Sequence, residues 1–331
     1  MVFLAALRER WKSFLLPEYF ILYVSVAYFL LLVMIQPSLA TVSNLRNLFS
    51  NLLPLLIVAV GQTFVLITAG IDLSVTSTIS LASVMGAAVM TGENSFYTPG
   101  TPLAAGLGVA VMGCTGLAMG LVNGAAITLF RMPPFIVTLT TMMFFRGSAI
   151  WFTQSRNIFN LPPAFNALGS GGILGIPYAL WIAAGVAGVG HYLLHCTVLG
   201  RWLYAVGHNP KTARVSGVPV SGTIWFAYTF SGLCGAAAAV LYTARIETGS
   251  PTLGDKILLD VIGAAVIGGT SLFGGKGKVS WTVYGVLFIT LIDNTLTMLG
   301  LTFFVIMMVK GGVILFAALL DAVRVRIREG R

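Results

Sequence analysis

Charge is what this chain has least of. Only 9% of its 331 residues are Asp, Glu, Lys or Arg, against about 25% in a soluble domain. With 57% hydrophobic residues and a mean hydropathy of +0.93, that scarcity excludes a soluble globular protein and implies an integral membrane protein. Cysteine is scarce too. Cys114, Cys196 and Cys234 lie in apolar segments without metal-ligand spacing and read as small packing residues, so neither a metal site nor a bound cofactor is expected. No His-Glu-x-x-His and no Gly-x-Ser-x-Gly elbow occurs, and catalysis is not expected of the chain. The run Gly274-Gly275-Lys276-Gly277-Lys278 misses the Gly-x-x-x-x-Gly-Lys-Ser/Thr spacing of a phosphate loop, with glycine where the hydroxyl is required. It reads as a flexible basic turn, and ATP hydrolysis is not expected here. His191 and His195 have a spacing that can hold metal but read as an interfacial polar face. No small-residue cleavage site follows Arg8, Arg10 and Lys12, so the first apolar stretch is expected to remain as a span.

Long apolar tracts are what the chain has instead. From Leu52 to Met90, thirty-nine residues carry one ionisable side chain, Asp72, although a single span needs only about 20 apolar residues. An acid held at a bilayer centre costs about 2.5–3.5 kcal/mol on insertion scales. Either the chain turns at Asp72 or a bundle encloses it. Segments of spanning length lie at 19–37, 52–70, 73–91, 103–130, 133–153, 178–198, 222–243, 257–273, 279–298 and 300–321. Ten spans put both termini on one side. With the N-terminus in the cytoplasm, Arg8, Arg10, Lys12, Arg131, Arg201, Lys211, Arg214, Lys276, Lys278, Arg324, Arg326, Arg328 and Arg331 all fall inside, whereas Arg46, Arg156, Arg245 and Lys256 fall outside. The positive-inside rule selects that orientation. The net charge of +9 is then a topology signal whose partner is anionic lipid, and nucleic acid is not expected. Turn formers cluster outside, at 91–100 and 157–177. Many of the 38 glycines lie within spans, where small residues let helices approach closely in lipid.

An internal repeat is legible. Leu121-Val122-Asn123-Gly124 in the fourth span resembles Leu291-Ile292-Asp293-Asn294 in the ninth. Met142-Met143-Phe144-Phe145-Arg146-Gly147 likewise resembles Met307-Met308-Val309-Lys310-Gly311. Spans four and nine are an odd number apart, so the halves 19–153 and 178–321 run in opposite directions. Inverted repeats are a transporter architecture with the pathway at their interface. The expected fold is a single all-α transmembrane domain over 1–331, with about ten helices in two inverted five-helix halves and cytoplasmic termini. Arg146 and Lys310 are intramembrane charges in the last span of each half, facing the bundle or snorkelling to an interface. Asp293 is placed to pair with Lys310.

Between spans six and seven, 199–221 contains a short capped helix. Asn209-Pro210 supplies an N-cap and a first-turn proline, Lys211 to Ser216 makes about two turns, and Gly217 ends them. A rigid, basic-rimmed helix of this kind suits a groove on a soluble partner.

Several blocks in order resemble bacterial ATP-binding-cassette importer permeases of the ribose, xylose and autoinducer-2 group. They are Gly61-Gln62-Thr63 with Gly70-Ile71-Asp72-Leu73-Ser74-Val75, Gly120 to Gly124, Pro134 to Leu139, Gly200 to Gly207 with Asn209, and Ile267 to Gly275. They cover about 44–320. Thr76-Ser77 departs from the more usual Gly-Ser or Gly-Ala at that place. The resemblance implies a non-catalytic permease subunit of the bacterial inner membrane that imports a ribose-, xylose- or galactose-like monosaccharide. It implies cytoplasmic ATPase subunits, a second permease copy (the same chain or a sister chain) and a periplasmic binding protein. The residues from Asn209 to Gly217, with Pro210, Lys211 and Arg214, would couple to the ATPase. Gln62, Asp72, Asn123, Asp293 and Asn294 would line the substrate pathway. Asp72 would shape a break in the helix wall by capping the helix that follows. An ion-coupled secondary transporter using Asp72 or Asp293 stays open as an alternative, as do nucleoside or polyol substrates for the same importer type.

Overall fold

The computed structural model describes residues 19–92 and 98–328. In order these form α1 (Phe20–Ile35), a 3-10 turn (Pro37–Ala40), α2 (Val42–Ile67), α3 (Val75–Thr91), α4 (Pro102–Leu129), α5 (Pro134–Thr153) and α6 (Pro163–Ser170). A hairpin of β1 (Gly172–Ile173) and β2 (Ile176–Pro177) follows, antiparallel, with Gly172 opposite Pro177. Then come α7 (Tyr178–Cys196), α8 (Val198–His208), α9 (Pro210–Val215), α10 (Val220–Ile246), α11 (Leu258–Gly268), α12 (Val279–Met298) and α13 (Phe303–Arg328). The protein is all-α. By length and composition α2, α4, α5, α7, α10 and α12 can each cross a membrane; α1, α3, α11 and the apolar part of α13 are shorter. Arg8, Arg10, Lys12 and Arg331, and positions 93–97 of the turn expected at 91–100, lie outside the described residues.

Every apolar segment marked in the sequence holds a helix, yet two boundaries move. The helix expected from Leu52 begins at Val42, because Thr41 Oγ1 accepts the Asn44 N–H and caps it (3.4 Å). Its polar first turns, with Ser43, Asn44, Arg46 and Asn47, conceal it from a hydropathy scan. The span expected at 257–273 is a helix of only 11 residues. Such a helix rises about 16 Å, half of a hydrocarbon core of about 30 Å, so α11 cannot cross alone. It stops at Gly269, where the N–H groups of Gly269 and Thr270 turn back onto the carbonyls of Val266 and Ala265 (2.9 and 3.0 Å).

The core is built around α2 and α10. All of Leu52 to Ile67 is buried, and α10 packs along α2, α3 and α4. Where α4 meets α10 the backbones nearly touch: a Cβ on Gly116 would overlap the Gly232 carbonyl, and one on Gly232 the Gly116 carbonyl. Helix contact in lipid rests on such close packing. The pairings recur along the chain. α3 packs on α4 and α5 as α11 packs on α12 and α13; α4 meets α10 as α12 meets α2; α3 meets α10 as α11 meets α2.

Candidate functional site

The tract from Leu52 to Met90 breaks between α2 and α3, and the break is built from polar atoms. Gly70 N–H and Thr68 Oγ1 both return to the Val65 carbonyl (3.1 and 2.7 Å), and Ala69 takes a left-handed backbone (φ 61°). Asp72 is then folded inward and is 1% exposed. Its Oδ1 accepts the Ser74 N–H (3.0 Å) and the Ser74 hydroxyl (2.7 Å), and its Oδ2 accepts the Ser231 hydroxyl from α10 (2.8 Å). With the amide oriented to satisfy both atoms, Gln62 of α2 donates to the Asp72 carbonyl (3.1 Å) and accepts the Asp72 N–H (3.2 Å). Asn123 of α4 donates to Ser74 Oγ (2.7 Å) and accepts from Thr141 of α5 (2.8 Å), while Thr138 donates to the Ile71 carbonyl (3.0 Å). Gln62, Asp72 and Asn123 are thus joined in one network spanning four helices. The carboxylate steers the chain into α3 by an Asx-type turn two residues ahead of the helix, and its burial is compensated by hydrogen bonds. One atom is left over. The Tyr228 hydroxyl, buried beside Gly70, has no hydrogen-bond partner.

Asp293 and Asn294 are held elsewhere. Lys310 of α13 sits between two acids, with Nζ 2.9 Å from Asp260 Oδ1 of α11 and 2.9 Å from Asp293 Oδ1 of α12. The expected Asp293–Lys310 pair is therefore present, but as part of a triad. Asn294, its neighbour in sequence, instead exchanges amide hydrogen bonds with Asn44 of α2 (3.0 and 2.8 Å). Arg146 makes a more exposed ion pair with Asp255 (2.6 Å). Nothing in the sequence singles out Ser231 or Thr141 for the Asp72 network, Asn44 for Asn294, or Asp260 for the triad. Of these, Asp260 alone leaves a signal, as the single acid of its apolar segment.

A third set of residues links the break to the surface. Asn209 Oδ1 accepts the N–H groups of Lys211 and Thr212 (2.9 and 3.1 Å), Pro210 opens α9, and Gly217 follows its end at φ 82°. Ala213 is buried against Val206 and Val220, leaving Lys211, Arg214 and Val215 facing outward; Val215 is 91% exposed. Immediately before α9, Gly207 of α8 lies so close to the Ile67 carbonyl that a Cβ would overlap it. The same carbonyl accepts the Gly275 N–H (2.8 Å), and the Tyr204 hydroxyl donates to the Gly277 carbonyl (2.7 Å). Burial pushes the Tyr204 phenol above its ordinary pKa. α8, which leads into α9, is thus in direct contact with the end of α2 and with the glycine-rich turn ahead of α12. Among the described residues, no group of three or more His, Cys, Asp or Glu side chains could hold a metal ion. The His191 and His195 rings stack at 4.3 Å.

An apolar helical bundle of this kind, interrupted by a buried polar break and bearing a capped surface helix, is that of a multi-pass membrane protein. The chain belongs to the family described as branched-chain amino acid transport system / permease component, which matches residues 44–318. It is 35% identical over 292 residues to the ribose import permease protein of Haemophilus influenzae, covering 87% of this chain and 88% of that one. To the ribose import permease protein of Bacillus subtilis it is 37% identical over 290 residues, 87% of each. To the L-arabinose transport system permease protein of Escherichia coli it is 32% identical over 304 residues, 92% of this chain and 90% of that one. No solved structure matches the chain.

Proposed function

We propose that this chain is the membrane-spanning subunit of an ATP-binding-cassette importer that carries a monosaccharide across the bacterial inner membrane. The observation that carries this reading is similarity over nearly the whole chain to permeases named for ribose and L-arabinose. The chain has no phosphate-binding loop, so the energy comes from separate cytoplasmic ATPase subunits. A second permease copy and a periplasmic binding protein complete the assembly, within lipid. The recurring helix pairings and the placement of the basic residues support two inverted halves of five helices each, with both termini in the cytoplasm. ATPase closure would move α9 and α8, and through Gly207 the end of α2, switching the pathway between outward and inward access. Gln62, Asp72 and Asn123 shape the wall at its break. Asp293, 45% exposed at its side chain, and Asn294 offer carboxylate and amide partners for sugar hydroxyls.

The test is uptake of labelled ribose into proteoliposomes containing this chain, its ATPase and its binding protein. Uptake that requires ATP and all three components supports the proposal; uptake by this chain alone, driven by a proton or sodium gradient, overturns it. Orientation is read separately. With Cys114, Cys196 and Cys234 replaced by Ser, a Val215→Cys variant in intact cells should resist a membrane-impermeant maleimide and react once the inner face is opened.

A further inference from the structure

On the face that carries α9, the turn after α4 and the start of α10 border an open cavity of about 730 Å³. Arg131 enters its lining from the α4–α5 turn and Arg214 from α9, and Ser221 of α10 also lines it. Arg131 holds its place in a left-handed backbone conformation (φ 54°), which is uncommon for a residue with a side chain. Neither guanidinium has an acidic partner among the described residues. From Asn94 to Ile246 the chain contains no Asp or Glu at all, while Asp255 is taken by Arg146, and Asp260 and Asp293 by Lys310. Two like charges at one cavity raise a positive potential that an anion relieves. Beside it, Leu129 and Phe130 expose 68% and 75% of their surface. The complementary ligand therefore has an anionic head and an apolar body.

We propose that this cavity seats the phosphate of an anionic phospholipid, gripped by Arg131 and Arg214, with acyl chains running along Leu129 and Phe130. The lipid would tie the α4–α5 turn to the surface helix. Basic pockets between helices on the cytoplasmic side suit such head groups, and the geometry of a guanidinium suits phosphate. Assigning the lipid to the inner leaflet rests on the orientation proposed above; the site itself does not.

The experiment places the full-length chain in nanodiscs of phosphatidylcholine with a minor fraction of phosphatidylglycerol and reads the lipid retained by native mass spectrometry. Nanodiscs expose both faces, so an inverted orientation would fail the Val215→Cys labelling while leaving this result unchanged. Selective retention of phosphatidylglycerol is expected, weakened about tenfold in Arg131→Gln/Arg214→Gln and unaltered in Arg156→Gln, which removes a charge elsewhere. The single variants Arg131→Gln and Arg214→Gln, each expected to lose part of the selectivity, carry the test if the double variant does not fold. Equal retention by the Arg131 and Arg214 variants, or no preference over phosphatidylcholine, overturns the proposal. Displacement by millimolar inorganic phosphate also overturns it, by assigning the site to a soluble phosphate compound.

Discussion

In one part of the molecule a single acid is buried among hydroxyl groups; in another, two acids share one lysine. The two clusters occupy corresponding places in the recurring helix pattern. Asp72 precedes α3 and is reached through Ser74 by Asn123 of α4, which in turn contacts Thr141 of α5. Asp260 lies in the first turn of α11, and Lys310 of α13 bridges it to Asp293 of α12. The sequence alignment of Asn123 with Asp293 thus joins residues that both bond to the last helix of their own group. The first cluster spreads its acid over neutral donors, so losing one donor weakens it by a single hydrogen bond. The second depends on one cation, and removing that cation strands two carboxylates.

The largest expected effect follows from that dependence. Lys310→Met should destabilise the protein by about 3–5 kcal/mol, the cost of leaving buried charge without its partner. It should lower both the yield of folded protein from membranes and its Tm in detergent. Adding Asp260→Asn and Asp293→Asn should restore most of the loss; a triple variant no better than Lys310→Met would show that the triad's charge balance is not what matters. Asp72→Ala comes next. It strips the acceptor from the Ser74 N–H, the Ser74 hydroxyl and the Ser231 hydroxyl at once. The hydroxyls can re-aim, so the expected loss is about 2 kcal/mol, near the cost of one or two buried donors left unpaired. Asp72→Asn, which keeps one acceptor for the Ser74 donors and lets the Ser231 hydroxyl turn to accept from the new amide N–H, should lose less. ATP-driven ribose uptake should fail in Asp72→Ala while assembly with the ATPase persists. Full uptake in that variant would remove Asp72 from the role assigned to it. Thr141→Val should cost about 1 kcal/mol by depriving the Asn123 carbonyl of its donor, read as a small drop in Tm.

Much of this arrangement is legible in the sequence. Apolar length located every major helix, and Asn209, Pro210 and Gly217 set the ends of α9, because local capping chemistry is written in adjacent residues. Asp72 stood out because an acid is conspicuous in an apolar tract. Its partners did not. Ser231 lies 159 positions away, and a serine in a glycine- and alanine-rich helix looks like a small packing residue until tertiary structure gives it a carboxylate. The start of α2 escaped notice for the opposite reason. Its first turns are polar, yet Asn44 is buried by its exchange with Asn294, a compensation that hydropathy cannot register. The short length of α11 was hidden by apolar residues that continue past its Gly268-Gly269 end.

The smallest effect sharpens the comparison from the other side. Arg146 and Lys310 stand at matching places in the sequence repeat, each followed by glycine, and each makes an ion pair of short distance. Their surroundings differ: the Arg146 and Asp255 side chains are 52% and 27% exposed, whereas those of Lys310 and Asp260 are 11% and 15% exposed. Water that solvates the separated partners removes most of the benefit of pairing, so an exposed pair contributes about 0–1 kcal/mol. Arg146→Gln should therefore leave Tm almost unchanged, where Lys310→Gln should collapse it. Raising the salt concentration should erase what little the Arg146 pair contributes, because screening acts on exposed charges, and should leave the buried Lys310–Asp260 pair almost unchanged, with only the Asp293 arm, 45% exposed, partly screened. Equal losses in the two variants would mean that position in the repeat, rather than burial, decides the strength of these pairs.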